Sequence, residues 1–439
     1  MPSLLFFFHL PFITRPSCQP PARLYALVSL VRVMTKPDGS TVIVNGYPCR
    51  MVEGSLILHN ATGWDQIEGL DHVEGLIQLR FSRCTLPDVE PLVGMASVSR
   101  LEGLTFDRSV VDSYDALARM ECIGSLEGIA FMGSNLKTIP DLPVNRSLVR
   151  FSAAGSPLES LEGIDRFPSL ETLNVDFTAI ASFEGLEGCP NVKRVSARCC
   201  RSLGSLRGLQ NARKLKELDI STSHIYWGGE NRTPGRLASL RGLEHCESLV
   251  ELDASGNAIA SMKGIEHCTR LETLKLARNR ITRIEGLERL SSLGALNLSG
   301  NPLESLAGIE PVAGTLGYLH VSDTKVDSLE PLRRFPHLHG FSARNTRVTS
   351  LEPLRGPDYN PMRPHSLLYK VDVSGSPVRS LLGLEAMTYY VPDIKARGCQ
   401  LTSLDGLPNR KDFGEVDFDE NDIPQQEFDE FFKTKEFHP

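Results

Sequence analysis

"LETLKLARNRITRIEGLERLSS", residues 271–292, is a unit whose outline returns along most of the chain. Leu271, Leu274 and Leu276 stand at positions one, four and six, and the alternation from four to six is typical of a short strand with one buried face. Asn279 at position nine can hydrogen-bond to backbone groups of the turn and of the next unit. Positions eleven, fourteen and seventeen are again apolar, and "IEGLE" permits only a short helical or 3₁₀ turn there.

The unit recurs fifteen times when the chain is aligned on its first position. Successive units start 22 residues apart from Leu126 to Val192 and from Leu249 to Leu293, and periods of roughly 20 to 29 residues are typical of leucine-rich repeats. One unit alone cannot bury its apolar face, so stacked units are expected to form a parallel sheet with strands about 4.8 Å apart. The units begin near Leu76, Leu101, Leu126, Leu148, Leu170, Val192, Leu215, Leu249, Leu271, Leu293, Leu316, Leu338, Leu368, Val391 and Phe413.

Units such as "ITRIEGLERLSSLGALNLSGNPLESLAGIE", residues 281–310, resemble the 22-residue subfamily of leucine-rich repeats. That subfamily includes the regulatory subunit of protein phosphatase 1, bacterial internalins and an axonemal dynein light chain. The resemblance implies an α/β repeat solenoid, a right-handed superhelix with a parallel concave sheet of about fifteen strands. It also implies that another protein binds the concave strand face, with carboxylates and aromatic side chains as contacts.

The same alignment predicts the organisation of the chain. We expect the solenoid to occupy residues 54–428, with surface insertions near 226–238 and 355–366 where the period is broken. Residues 429–439 are expected to form a C-terminal cap or tail, and residues 1–53 a leader and the start of an N-terminal cap.

The leader is open to more than one interpretation. Residues 1–37 contain no Asp or Glu but carry several basic residues, which suits a mitochondrial transit peptide. A disordered leader, or translation that begins at Met34, explains the same stretch. A secretory signal fits less well, because no charged region precedes "LLFFFHL" and prolines follow it.

Composition and charge exclude two classes of partner. The formal charge is −7, from 54 acidic and 47 basic residues, and no long Lys/Arg block is present, so nucleic acid is not expected. No apolar run approaches the roughly 20 residues of a membrane helix, so no membrane span is predicted.

Most cysteines fall at interior positions of the repeat. Free cysteine behaves there as a small buried apolar residue, and no paired cluster marks disulfide-capped ends. We therefore expect a reducing compartment, the cytoplasm, with a cytoskeletal or nuclear association or a mitochondrial location as alternatives. The ninth and twentieth positions hold Cys84, Cys200 and Cys399, and Cys189, Cys246 and Cys268.

Positions three, five and seven of each strand are predicted to point outward from the concave face. Small residues dominate position seven, and Tyr318 beside His320 is the main aromatic feature. Two neighbouring units place four carboxylates in one patch, which is either a solvated acidic surface or a site for a basic partner. The four are Glu217, Asp219, Glu251 and Asp253.

The two insertions also carry candidate contact residues. "YWGGENRTPGRLA" contains Tyr226 and Trp227, and "RGPDYNPMRPHS" contains Tyr359 and Met362. An exposed Tyr-Trp pair is typical of an interface anchor, and the alternative is that Trp227 folds back onto the convex side.

"DFDENDIPQQEF", residues 417–428, has the opening spacing of a calcium loop but not its turn. Asp422 stands where glycine is needed, and Glu427 falls one residue before the position of the bidentate ligand. The apolar positions of the repeat fit the stretch better, so it is predicted to be a closing unit with an acidic, aromatic cap.

No motif for catalysis or a cofactor is found, and none is expected. A paired-carboxylate glycosidase is disfavoured, because a shallow sheet offers no enclosed pocket to raise an acid's pKa. The sequence therefore predicts a monomeric, non-catalytic scaffold or regulatory adaptor whose partner is another protein, a phosphatase catalytic subunit by resemblance. The alternative is a structural component of a cytoskeletal, flagellar or axonemal assembly.

Overall fold

The protein is described here by a computed structural model. The described residues are 41–222, 234–356, 367–387 and 389–433, with the backbone of 436–437. The chain divides into two units, Met1–Asp38 and Gly39–Pro439, and every described residue belongs to the second. The expectations for residues 1–37 and for most of both insertions lie outside the described residues.

One long parallel sheet dominates the described part of the chain and holds sixteen strands there. Each strand pairs with the strands before and after it, so the spatial order follows the chain. The strands are β3 (Ser55–His59), β5 (Gln78–Ser82), β7 (Gly103–Asp107), β9 (Gly128–Ala130), β10 (Arg150–Ser152), β11 (Thr172–Asn174), β12 (Arg194–Ser196), β13 (Glu217–Asp219), β14 (Glu251–Asp253), β15 (Thr273–Lys275), β16 (Ala295–Asn297), β17 (Tyr318–His320), β18 (Gly340–Ser342), β19 (Lys370–Asp372), β20 (Asp393–Lys395) and β22 (Val416–Asp417).

The pairing register confirms the predicted repeat alignment. Leu252 pairs with Leu274 and Leu274 with Leu296, so position four of each unit lies beside position four of the next. All three leucines are buried, as is Leu276 at position six. The fold is a leucine-rich-repeat solenoid, in which each unit covers the apolar face of its neighbours.

A sixteenth strand precedes the fifteen aligned units. In β3, Leu56 and Leu58 pair with Leu79 and Phe81 and therefore occupy positions four and six of an additional unit. The sequence signal is the alternation in "SLILH", which lacks the apolar first position used for the alignment. A small antiparallel sheet of β1 (Thr41–Val44), β2 (Tyr47–Arg50) and β4 (Ile67–Glu68) lies next to it in the chain.

The returns between strands are irregular or form short 3₁₀ turns, and α1 (Gln425–Phe432) is the one α-helix among the described residues. Proline stands in the first turn of several of them, where its missing N–H costs no hydrogen bond, and glycine precedes others. No helix in the described ranges is long and apolar enough to cross a membrane. The 3₁₀ turns span Trp64–Gln66, Leu70–His72, Glu90–Leu92, Ala96–Val98, Asp115–Arg119, Glu121–Gly124, Ile164–Arg166, Leu186–Gly188, Glu310–Val312, Glu330–Arg334 and Glu352–Arg355.

Position nine links neighbouring units through polar side chains. Asn279 Nδ2 donates to the carbonyl oxygens of Leu276 and Ala254, each at 3.0 Å, and its Oδ1 accepts from the N–H of Ile259 at 3.0 Å. Asn301 bonds to the unit before it in the same way. The expectation that this asparagine bonds to the next unit is therefore wrong. Asn279 bonds to the preceding unit, because its side chain points back into the turn that follows the strand of that unit.

The C-terminal stretch closes the solenoid. Phe431 and Phe432 of α1 pack on Phe413, with ring centroids 6.1 and 5.7 Å away. Glu427 accepts a hydrogen bond from the N–H of Leu404 at 2.6 Å, so its carboxylate satisfies the turn of the preceding unit. The remaining short pairs are β6 (Thr85–Leu86) with β8 (Val110–Val111), and β21 (Asp412–Phe413) with β23 (Glu436–Phe437).

Candidate protein-binding face

Along the strands of the repeats, side chains alternate between the buried side and the outward side of the sheet, as predicted. In β15, Leu274 is buried, whereas Thr273 and Lys275 on either side of it are only half-buried. Successive side chains of a strand point to opposite faces, so these outward residues form a continuous surface on the sheet. We call it the concave face, made by positions three, five and seven of the units.

The four carboxylates of the sequence analysis come together on this face. Glu217 pairs with Glu251, and Asp219 pairs with Asp253, in the register of β13 and β14. Side chains that stand opposite each other on neighbouring strands are about 5 Å apart at Cβ. The structure therefore forms one acidic patch from these four residues.

Cations of the same chain flank the acidic patch. Arg194 Nε lies 3.1 Å from Glu217 Oε1, and Lys275 Nζ lies 2.8 Å from Glu251 Oε1. The carboxylate of Glu251 raises the pKa of Lys275. Both cations occupy outward positions of the adjoining units, Arg194 at position three and Lys275 at position five, so the sequence register contains the signal for them. The patch is thus partly compensated from within the chain.

Asp219 is the most perturbed carboxyl of the patch. Burial raises its pKa to about 6, and the charge of Asp253 acts in the same direction. The N–H and hydroxyl of Ser221 donate to Asp219 Oδ1 at 3.0 and 2.7 Å and oppose this rise. Arg198 spans Asp176 and Asp219, with distances of 2.7 and 3.9 Å, which adds a second opposing contact.

A cluster of aromatic rings begins on this face at Tyr318 and continues through residues that precede the neighbouring strands. The ring of Tyr318 stacks on that of His339, with centroids 6.0 Å apart, and the ring of Tyr369 lies 6.5 Å from that of His339. The ring of Tyr390 lies 5.5 Å from that of Tyr369, and the ring of Tyr389 lies 4.8 Å from that of Tyr390. We call these five residues the tyrosine cluster. The expectation that Tyr318 with His320 is the main aromatic feature is therefore too narrow. The other rings were missed because they stand at position two or just before position one, outside the three positions that were searched.

The first two tyrosines of the cluster are joined by their hydroxyls. Tyr318 Oη and Tyr369 Oη lie 3.0 Å apart, although the residues are 51 positions apart in sequence. The hydrogen bond raises the pKa of Tyr369. Tyr318 remains 40% exposed and Tyr389 65% exposed, so the rings are available to a partner.

A shallow depression of about 360 Å³ lies beside Tyr318. Gly340 forms part of its floor, and His320, Arg344 and Lys370 contribute side chains to its wall. Partial burial and the neighbouring charge of Lys370 lower the pKa of His320. Both effects disfavour the charged form of the imidazole, and Lys370 is the nearby cation.

The candidate contact residues of the two insertions cannot be located on the fold. Tyr226, Trp227, Tyr359 and Met362 all lie outside the described residues. Within the described ranges, no group of three or more His, Cys, Asp or Glu side chains is arranged to hold a metal ion. The acidic patch lies on an open sheet, and we assign it no chemistry beyond binding.

Comparisons with known proteins agree with the fold. A profile described as Leucine Rich repeats (2 copies) matches residues 269–311. No curated protein matches the chain in sequence.

Solved structures share the architecture at low identity. An internalin of Listeria monocytogenes is 14% identical and covers 76% of this chain and 84% of its own, with a TM-score of 0.54. A leucine-rich-repeat protein of Leptospira interrogans is 17% identical and covers 79% and 91%, with a TM-score of 0.56. A chain of the Drosophila Toll–Spatzle complex is 15% identical and covers 88% and 53%, with a TM-score of 0.64. At these identities the likeness concerns the fold alone.

Proposed function

We propose that this chain is a non-catalytic protein-binding scaffold or regulatory adaptor, and that its partner binds the concave face. The observation that carries the proposal is that the acidic patch and Tyr318, the first ring of the tyrosine cluster, lie on the same continuous sheet. One of the structural neighbours is a chain of a complex between two proteins, Toll and Spatzle. Leucine-rich-repeat solenoids are suited to such complexes because stacked repeats build an extended concave surface.

The physical properties of the face support this function. Ser255 and Ser299 at position seven are small, so another backbone can approach the sheet closely. Tyr318 and Tyr369 supply rigid amphipathic rings, which lose little conformational entropy when a partner covers them. Charged side chains at the acidic patch give the partner a preferred orientation.

Within this function, we propose that the partner is a phosphatase catalytic subunit that this chain regulates. The support is the resemblance of the 22-residue units to the phosphatase regulator. A cell-fractionation experiment separates this proposal from the structural alternative. A regulator is extracted with mild detergent, whereas a component of a cytoskeletal or axonemal assembly stays in the insoluble skeleton.

We also propose that the chain works in a reducing compartment, with the cytoplasm as first candidate. The nine cysteines in the described ranges are free thiols, and seven of them are buried. Buried thiols of this kind tolerate a reducing environment because they contribute packing rather than cross-links.

Affinity capture with matched variants tests the proposed binding face. Glu217→Lys combined with Glu251→Lys reverses two charges of the acidic patch, and the partners captured by wild-type protein should be lost or depleted. Glu247→Lys combined with Glu288→Lys makes the same change of charge on exposed residues of the return segments. If both double variants capture the same partners as wild type, and Tyr318→Ala does too, the concave face is not the binding surface.

A further inference from the structure

We propose that the depression between Tyr318 and Lys370 is an anchor site for a carboxylate-bearing segment of the protein partner, with an apolar side chain next to the carboxylate. The inference rests on the proposed function and adds to it the chemistry of the partner. It also gives the concave face two contact points of opposite preference, since the acidic patch on β13 and β14 favours a basic group.

Lys370 is a cation without a counterion in the described part of the chain. The ion pairs of the neighbouring strands involve Arg344 with Asp372 and Lys395 with Glu415, and none involves Lys370. The ammonium group is therefore free to pair with a carboxylate from outside the chain.

The nearest carboxylates on the adjoining strand positions are engaged elsewhere. Asp393 pairs with Lys370 in the sheet register, but its Oδ1 accepts the N–H of Glu415 at 2.9 Å, on the opposite side of β20. Asp372 accepts the N–H of Ser374 at 3.1 Å and lies 3.7 Å from Arg344 Nε. Both acids thus have partners other than the Lys370 ammonium, and neither forms an ion pair with it.

Gly340 lets the Tyr318 ring and the Lys370 stem meet at one point of the sheet. It lies between Tyr318 and Lys370 in the register of β17, β18 and β19. A Cβ at residue 340 would stand 2.7 Å from Tyr318 Cδ1 and 3.9 Å from Lys370 Cβ, so the ring and the lysine stem border the place that a side chain would fill. The Tyr318 ring offers an apolar wall, and Lys370 offers the charge.

The hydroxyl pair adds a second donor. Tyr318 and Tyr369 together carry two hydroxyl protons, and their mutual hydrogen bond uses one of them. The other proton can be donated to a carboxylate that binds Lys370. Charge-assisted hydrogen bonds of this kind are stronger than neutral ones, which suits a small anchor site.

The remaining acid in the wall of the depression is remote from this point. Asp323 stands at position eight of its unit, whereas Tyr318 and Lys370 stand at position three. The strand ends at His320, so Asp323 lies in the turn beyond it, and its Oδ1 accepts a hydrogen bond from Asn345 Nδ2 at 2.8 Å. A carboxylate at the tyrosine end is therefore not repelled at contact distance by Asp323.

The shape of the depression and the chemistry of its lining favour a protein segment as the ligand. The depression is shallow and open along the sheet, and it is bordered by exposed aromatic rings that extend to Tyr389. An extended chain can place a Glu or Asp at Lys370 and lay a neighbouring apolar side chain on the rings. Inorganic phosphate would use the lysine and the hydroxyls but leave the rings uncovered.

Isothermal titration calorimetry on the full chain tests the inference with defined probes. The first probe is a short peptide of alternating glutamate and leucine, and matched peptides carry glutamine or lysine in place of glutamate. We expect the glutamate peptide to bind more tightly than the glutamine peptide, and the lysine peptide not to compete with it. Sodium phosphate should displace the glutamate peptide only weakly.

Variants locate the binding. Lys370→Met should weaken binding of the glutamate peptide by roughly tenfold or more, because a charged partner is removed. Tyr369→Phe, which removes only a hydroxyl, should weaken it less. Lys263→Met is the matched control, since Lys263 is an exposed cation of a return segment and should leave the affinity unchanged.

Three results would overturn the anchor site: no binding of the glutamate peptide, equal affinity for the glutamate and glutamine peptides, or an unchanged affinity in Lys370→Met. If phosphate displaces the bound glutamate peptide as effectively as unlabelled peptide does, the ligand of this site is a free anion and the proposal of a protein segment is wrong. If the glutamate peptide does not bind, but the double variant Glu217→Lys, Glu251→Lys still loses its captured partners, only the anchor site is wrong. If neither set of variants changes binding, the concave-face function is wrong as well.

Discussion

The ring of Tyr318 lies over Gly340 on the adjacent strand, where a Cβ would stand only 2.7 Å from Cδ1 of the ring. Glycine at position three of β18 is therefore what allows the ring to lie flat against the sheet and its hydroxyl to meet Tyr369 at 3.0 Å. This contact joins three strands of the concave face at the point where the proposed anchor site is found.

Gly340→Ala should displace the Tyr318 ring and break its hydrogen bond to Tyr369. We expect binding at the tyrosine cluster to fall as it does in Tyr318→Ala, with little loss of stability because the half-exposed Tyr318 ring can move aside into solvent. Near-ultraviolet circular dichroism and a binding titration measure the two effects.

Gly128→Ala is the matched control, because Gly128 also occupies position three and a Cβ there meets Arg150 atoms only at ordinary contact distances of 3.5 Å or more. A Gly340→Ala variant that keeps the Tyr318 environment and full binding would contradict the role given to this glycine.

Substitution of the position-four leucines tests the repeat register. Leu274 and Leu296 are almost fully buried, and either one changed to Ala should reduce the free energy of unfolding by roughly 2 to 5 kcal/mol. Lys275→Ala, between two buried positions on the same strand, should cost little. Urea denaturation monitored by far-ultraviolet circular dichroism gives the three values. Equal, small losses would mean that the inward positions are misassigned.

The buried thiols should react slowly. Burial raises the pKa of Cys189, Cys246 and Cys268 to about 12, so almost no thiolate is present at neutral pH. Native protein treated with a thiol-reactive mass tag should leave these three residues unlabelled for as long as the fold persists, and denatured protein should be labelled at all of them. Disulfides among them in a non-reducing peptide map would refute the reducing compartment.

Asp219 should make stability depend on pH in an identifiable window. The pKa of Asp219 in the folded protein, about 6, is above the usual aspartate pKa, so folding favours the protonated carboxyl. Its contribution to the free energy of unfolding is therefore fully present at a pH below the usual aspartate pKa and is lost as the pH rises through about 6. Stability of wild type relative to Asp219→Asn should therefore decrease between pH 4 and pH 7. Urea titrations of both proteins at the two pH values measure this difference. A relative stability that stays constant or increases would show that Asp219 is not desolvated in the folded protein.

Kinetics can separate the parts played by charge and by aromatic contact. Reversing Glu217 and Glu251 should mainly slow association with a captured partner and reduce its salt dependence, whereas Tyr318→Ala should speed dissociation. Surface plasmon resonance resolves the two rates. Trp227→Ala is the competing test, because it changes the first insertion and leaves these outward residues of the concave face unchanged. Loss of binding in Trp227→Ala alone, with the protein still folded, would place the binding surface in the insertion.

The repeat period, read from the sequence, was sufficient to predict fifteen of the sixteen described strands of the long sheet, their register and the burial of the six cysteines placed at interior positions. The reason is physical: a stacked unit buries the same positions as its neighbours, so the pattern of leucines carries the pairing with it. Leu274 and Leu296 illustrate this, since they stand 22 residues apart and pair directly. The strand Ser55–His59 was missed because its unit lacks the apolar first position by which the others were aligned.

The tertiary structure alone decided which outward side chains engage one another. Arg194 and Lys275 compensate the acidic patch, Tyr318 reaches across β18 to Tyr369, and these contacts depend on the directions of side chains on separate strands. Spacing in the sequence places such residues near each other but does not orient them. The free charge of Lys370 is a case in point: Asp393 is its neighbour in the sheet register, and only the three-dimensional arrangement shows its carboxylate bound to the N–H of Glu415 on the other side.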